Sequence, residues 1–153
     1  IRELEDFKNA IMVSQFFNSA PMFRDLSESL IHLFTARGKI ESFKKGEYVF
    51  NQNEPGDGFY LILRGLAGVV VNGRPVAKIQ QGGFFGEISL IADIPRTGSV
   101  TALEPLTTLK IGRQSFWEIL AQDLQMAVFI ENVGEHRMRE DIEILKGKEA
   151  KIA

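Results

Sequence analysis

FFGEISLIADIPRTGSV, residues 84–100, gathers a carboxylate acceptor (Glu87), one fixed cation (Arg96) and hydroxyls at Ser89, Thr97 and Ser99 into one short segment. Gly86 and Gly98 act as small elbows within it. The guanidinium of an arginine is a planar fork of donors that matches phosphate oxygens, and a glutamate accepts hydrogen bonds from a sugar hydroxyl. A short helix is expected between Glu87 and Arg96, and the N–H groups opening it after Gly86 add uncharged anion donors. The spacing therefore suits a ligand that carries both a ribose and a phosphate. Taken singly, Glu87 and Arg96 read equally well as a surface ion pair that holds a loop.

Upstream of this segment, from residue 39, the chain has the texture of short strands with turn punctuation. Strands are expected at Ile40–Phe43, Tyr48–Asn51, Phe59–Leu63, Ala67–Val71 and Val76–Ile79, and beyond it at Val100–Ala102 and Thr107–Ile111. Asn72-Gly73 is a two-residue hairpin turn, and Asn53–Gly58 is a looser one. Strands this short at this spacing point to a small sandwich or jelly roll. Helices flank it. Leu4, Phe7, Ile11 and Phe16–Phe17 recur at helical spacing, which predicts an amphipathic helix over residues 1–18, broken by Asn18-Ser19-Ala20-Pro21. Ser27 caps a second helix that carries Leu30, Ile31, Leu33 and Phe34 and ends at Gly38. Helix returns near Ser115 and continues with breaks to about Lys148. The chain divides into an N-terminal helical segment (1–38), a β-roll (39–113) holding the 84–100 segment, and C-terminal helices (114–153).

With 153 residues and 44% apolar residues, the chain is long enough for one domain with a proper core. A formal charge of −2 gives no global attraction to nucleic acid or anionic lipid. The absence of cysteine excludes disulfides and thiolate metal sites. No apolar run is long enough to span a membrane, so a soluble, cytoplasmic chain is expected, tethered or not to a larger protein. The first residue is Ile1 rather than Met, which reads as an excised piece of a longer protein.

Phe85-Gly86-Glu87-Ile88-Ser89-Leu90 followed by Pro95-Arg96-Thr97-Gly98-Ser99-Val100 resembles the phosphate-binding cassette of the cyclic-nucleotide-binding domain family. That family is the ligand module of catabolite-activator-type regulators, cAMP-dependent kinase regulatory subunits and nucleotide-gated channels. Lys45-Gly46-Glu47, Glu54-Pro55-Gly56-Asp57 and Tyr60-Leu61-Ile62-Leu63-Arg64-Gly65 look like its glycine framework, so the resemblance covers about Pro21 to Leu120. Two departures stand out. Asn53 replaces a common glycine, a change that a left-handed turn tolerates. Gly98 replaces the usual alanine, which is expected to loosen the loop slightly.

The resemblance implies a mainly β fold with flanking α: an eight-stranded β-roll with N-terminal helices and C-terminal hinge and lid helices. It implies cAMP or cGMP as the ligand, with no other cofactor. Arg96 is expected to pair with the exocyclic phosphate and Glu87 to accept from the ribose 2′-OH, with backbone N–H groups around Ser89 and Thr97 completing the cradle. Phe85, Gly86, Ile88, Gly98 and Val69 belong to the same expected site, with Val76 or Ala77 nearby. Only one of Phe84 and Phe85 can face the ligand, because neighbouring strand residues point to opposite sides. The Thr97 hydroxyl is read either as satisfying loop backbone or as reaching a guanine amino group, which permits cGMP without demanding it.

Ligand binding is expected to pull the cassette inward and to relieve packing of Leu90 and Ile91 on the helix of Phe116 and Trp117. The C-terminal helix then swings against the base and controls an effector domain outside this segment. Trp117 is read as core, and Val133-Gly134 as a hinge or a cap. Glu135 and Arg139 are placed for an i,i+4 pair. Met138, Ile142, Leu145 and Ile152 are compatible with a short seam through which a homodimer forms. His32 and His136 are the only histidines, too few for the several His and carboxylate ligands of a jelly-roll metal enzyme, and no Ser-His-Asp arrangement is built convincingly from them, so no enzyme is expected. The alternatives are a degenerate domain of the same fold used for assembly without nucleotide, and a transcription factor whose helix-turn-helix lies outside this segment.

Overall fold

The computed structural model describes residues 2–23 and 25–152, with side chains as far as 147. Its centre is β3 (Gly58–Arg64), whose residues GFYLIL are all buried. A strand buried along its whole length must be covered on both faces, and the pairing shows how. β3 lies inside a four-stranded antiparallel sheet of order β1-β8-β3-β6, formed with Lys39–Phe43, Leu106–Gly112 and Phe84–Phe85. The second sheet, β2-β7-β4-β5, comprises Tyr48–Phe50, Ser99–Ala102, Leu66–Val71 and Arg74–Gln80. The fold is mainly β with flanking helices, as expected. The strand absent from the sequence reading as a separate element is β6, which has two residues.

Side-chain alternation along β3 builds two cores. Phe59, Leu61 and Leu63 face the helices, where they meet Leu109, Ile111 and Phe84 of their own sheet. Tyr60 and Ile62 face the second sheet and meet Phe85, Ala67, Val100, Ala102 and Leu106. The helical core is rich in phenylalanine: Phe16 and Phe17 of α1 (Arg2–Ser19), Phe23, and Phe34 of α2 (Glu28–Arg37). Phe17 and Phe34 lie 5.1 Å apart by ring centroid, and Phe23 and Phe34 lie 5.8 Å apart in an edge-on arrangement. The cap predicted for α2 forms, Leu30 N–H donating to Ser27 Oγ at 3.2 Å.

Two apolar expectations are corrected. Leu4, Phe7 and Ile11 are exposed, because only the last turns of α1 dock, through Val13, Phe16 and Phe17. Trp117 is 44% exposed, because α4 (Arg113–Leu120) turns Phe116, Ile119 and Leu120 inward instead. Gly38 ends α2 without a left-handed conformation; a side chain there would strike Leu109 and the Phe34 carbonyl. The Asn72-Gly73 hairpin and the Asn53 turn do take positive φ, at 52°, 77° and 75° respectively. No described helix is long and apolar enough to cross a membrane.

After a short break at Ala121–Asp123, α5 (Leu124–Ile152) runs unbroken for 29 residues. Gly134 is therefore not a cap but an interior residue of the helix. Its missing side chain allows close approach, since a Cβ would lie 3.2 Å from Glu87 Cγ and from Ile91 Cδ1. Leu90 joins the core of Phe116, as expected, and Ile91 packs against the same core while also lying next to Gly134 of α5. The i,i+4 pair of Glu135 and Arg139 forms. The Ile152 side chain of the expected seam lies outside the described residues.

Candidate functional site

β6 ends at Gly86, whose φ of 92° turns the chain into the six-residue α3 (Glu87–Ala92). Glycine is needed there for conformation and for space: a Cβ would sit 2.9 Å from the Gly58 carbonyl and 3.2 Å from Arg96 Nη1. Asp93 closes the helix in a left-handed conformation, and the chain returns through Pro95 and Arg96 to β7. Glu87 and Arg96 thus lie on either side of a tight loop, both almost fully buried.

Arg96 is 3% exposed. Its Nη1 donates to the Gly86 carbonyl and its Nη2 to the Gly58 carbonyl, both at 2.8 Å. Phe50 carries the guanidinium over its ring face, 3.9 Å from the centroid. Asp57 reaches Nη2 only at 3.9 Å. Burial depresses the Arg96 pKa, with Tyr60, Asp57 and Glu87 pulling the other way. The arginine is aimed by carbonyl dipoles and an aromatic face, and no close carboxylate quenches its charge.

Glu87 is 1% exposed, and Arg137 of α5 donates to its Oε1 at 2.9 Å. The same Nη1 donates to the Phe84 carbonyl at 2.9 Å. Burial raises the Glu87 pKa, and Arg137 opposes that shift without cancelling it. Glu87 and Arg96 are therefore not locked onto each other. One carboxylate oxygen is occupied and the other is not.

These groups surround a cavity of about 770 Å³ between the β-roll and α5. All nine residues singled out from the sequence line it: Val69, Phe85, Gly86, Glu87, Ile88, Ser89, Arg96, Thr97 and Gly98. Val76 and Ala77 of β5 line it too, and so does Phe50, which the sequence reading did not select. Phe85 faces this side, whereas Phe84 faces the helical core. Among the described residues, the buried side-chain polar atoms without a partner are Glu87 Oε2, Ser89 Oγ and Arg96 Nε, and all three residues line the cavity.

The remaining wall comes from α5, through Val128, Phe129, Val133, Arg137, Asp141 and Ile144 among others. Thr97 satisfies neither loop backbone nor an open space: its hydroxyl donates to Asp141 Oδ2 at 2.6 Å. Asp141 is 7% exposed, and burial raises its pKa, with the Thr97 hydrogen bond opposing. The signal for these α5 residues was present but weak. Val133, Arg137, Asp141 and Ile144 share one helical face, which mixes charge into an apolar stripe.

The expectation for Gly98 is corrected. A Cβ at this position would lie 3.0 Å from the Val70 carbonyl and 3.0 Å from Val71 Cγ2. The glycine lets the loop press against β4 rather than loosening it. Among the described residues no cluster of His, Cys, Asp or Glu is placed to hold a metal.

Fold and cavity together define a two-sheet β-roll whose cavity is walled on one side by α5. A model of the cyclic nucleotide-binding domain matches residues 40–123, more than half of the sequence, and the chain belongs to that family. It is 33% identical over 115 residues, 75% of its length, to a cGMP-dependent protein kinase of Eimeria tenella. It is 30% identical over 115 residues, 74% of its length, to a cAMP-dependent protein kinase regulatory subunit of Eremothecium gossypii. The chain spans only 11% of the first relative and 25% of the second. The co-crystal structure of the regulatory domain of Toxoplasma gondii PKA with cAMP superposes with a TM-score of 0.73 at 25% identity. That likeness covers 84% of this chain and 51% of the other.

Proposed function

We propose that the chain is a cyclic-nucleotide sensor that binds cAMP or cGMP in the cavity under α5. The observation that carries this reading is the set of unpartnered buried atoms. A buried polar group without a partner costs roughly 1–3 kcal/mol, so three in one cavity call for a ligand that satisfies them. Arg96 Nε and the unused protons of its other nitrogens face a phosphate, and Glu87 Oε2 is the acceptor left for a ribose 2′-OH. Val69, Val76, Ala77 and Phe85 supply the apolar wall for sugar and base, and the Ser89 hydroxyl and the loop N–H groups complete the cradle.

The ligand acts on α5 through the cassette. Arg137 holds Glu87 and Asp141 holds Thr97, so a ligand that takes up Glu87 and Thr97 alters both ties between cassette and helix. Such coupling works only if the ligand favours one position of α5 over another. The helix then regulates an effector region outside these residues. Kinase-type regulation is favoured by the identity of the relatives. Self-association through Met138, Ile142 and Leu145 belongs to the same proposal, and sedimentation with and without nucleotide reads it. Calorimetric titration of cAMP and cGMP into the purified chain tests the core of the reading. Saturable binding of at least one is expected, and no binding of either removes the reading in favour of an assembly domain.

A further inference from the structure

Arg96 is held at backbone and side chain by one short stretch of chain. The turn that follows β2 pairs with its backbone: Asn53 N–H donates to the Arg96 carbonyl and Arg96 N–H to the Glu54 carbonyl, both at 2.8 Å. Phe50, the last residue of β2, takes its side chain, with the guanidinium carbon 3.9 Å from the ring centroid. Phe50 reaches that place through an irregularity in the strand. The register of β2 on β7 shifts between Tyr48 and Phe50, and Val49 and Phe50 both pack on the inner core, which strict alternation forbids. The Phe50 ring then abuts Tyr60 and Phe85, at 5.9 and 5.8 Å between centroids, and those two rings are stacked on each other at 5.0 Å.

We propose that Phe50 is a positioning residue for anion binding: its ring face holds Arg96 off Asp57, so that the guanidinium meets the ligand phosphate without a carboxylate already paired to it. The proposal rests on the reading of the cavity as a cyclic-nucleotide site.

The ring and the Asp57 carboxylate are alternatives for the same cation. An aromatic face attracts a guanidinium through its quadrupole, most strongly where water is excluded, and carries no net charge. A carboxylate instead forms a charge-assisted pair with the guanidinium, which an incoming phosphate would have to displace. Asp57 stands 3.9 Å from Arg96 Nη2, beyond hydrogen-bond range, and its Oδ2 accepts from Lys110 Nζ at 3.1 Å. The two terminal nitrogens of Arg96 lie on the Gly86 and Gly58 carbonyls, and Nε is left without a partner. The Phe50 ring keeps the guanidinium in that plane. An aliphatic side chain fills space there without attracting the cation, and leaves it free to tilt onto Asp57.

The test is calorimetric titration of cAMP and cGMP into the whole chain and its variants. Phe50→Leu is expected to weaken both nucleotides about tenfold, because the phosphate is common to them. Asp57→Asn alone is expected to change affinity by no more than about twofold, and added to Phe50→Leu it is expected to recover most of the loss. Phenylalanine carrying one, two or three ring fluorines, placed at position 50 alone, keeps the shape of the ring and weakens its negative face step by step. Affinity is expected to fall with each fluorine, a trend that packing alone does not produce. If Phe50→Leu fails to fold, the fluorinated series decides. Unchanged affinity in Phe50→Leu, no recovery on adding Asp57→Asn, or affinity flat across the fluorinated series overturns the proposal while leaving the nucleotide site standing. Binding of neither nucleotide by the unaltered chain overturns both.

Discussion

The two faces of β3 do opposite things with the same chemistry. Phe59, Leu61 and Leu63 enter a sealed core of helices and phenylalanine rings. Tyr60 and Ile62, one residue out of step, enter a core that stops at an open cavity containing a buried acid and a buried guanidinium. Phe84 and Phe85 repeat the division across one peptide bond. The helical side closes on itself, and packing there supplies stability. The inner side stays incomplete in volume and in hydrogen bonds, and that incompleteness is what a ligand can use. Stability and binding are thus separated by the period-two alternation of a strand.

That separation makes a strong prediction for the sealed side. Phe34→Ala removes a ring that is 1% exposed and that packs on Phe17 and Phe23. It is expected to cost about 3–5 kcal/mol of unfolding free energy in urea melts. Nucleotide affinity of the folded fraction is expected to stay within about twofold, a difference well below one tenfold step of about 1.4 kcal/mol. A matching collapse of affinity would show that the two cores are one unit.

On the open side the balance reverses. Arg96→Ala is expected to weaken both cyclic nucleotides by about 2–5 kcal/mol in calorimetric titration, because a buried phosphate loses its charged partner. The loss of stability should be smaller than for Phe34→Ala. The arginine itself suffers a desolvation cost that vanishes with it, although the carbonyls of Gly58 and Gly86 lose their donors. Unchanged affinity in this variant would remove Arg96 from phosphate recognition.

How far the sequence discloses this arrangement depends on how local each part is. The segment 84–100 is contiguous, so its acid, its arginine and its glycine elbows can be read as one object. Most strands are equally legible, since alternation and turn residues sit within a few positions of one another. β6 is too short to show a period. The wall supplied by α5 is different. Arg137 and Asp141 lie 50 and 44 residues from the groups they bond, so nothing near them in sequence marks the partnership. Trp117 and the Leu4, Phe7, Ile11 stripe mislead for a related reason: helical periodicity shows that a face is apolar without showing that another element covers it.

Gly98 is where the two regions can be sharpened against each other with the smallest change. Alanine, the residue usual at this place in the family, carries a methyl that would meet the Val70 carbonyl and Val71 Cγ2 at 3.0 Å. Two effects compete in Gly98→Ala. Restricting the unfolded chain stabilises by about 0.4–1 kcal/mol, whereas forcing a methyl into filled space costs about 1–3 kcal/mol. A backbone carbonyl is the less yielding neighbour, so the steric term should win and leave a net loss of about 1 kcal/mol in urea melts. The strain falls beside Thr97, so the hydrogen bond to Asp141 should lengthen and nucleotide affinity should drop alongside stability. A neutral or stabilised Gly98→Ala with full affinity would mean that β4 gives way readily, and that the open side of the roll is softer than its close contacts imply.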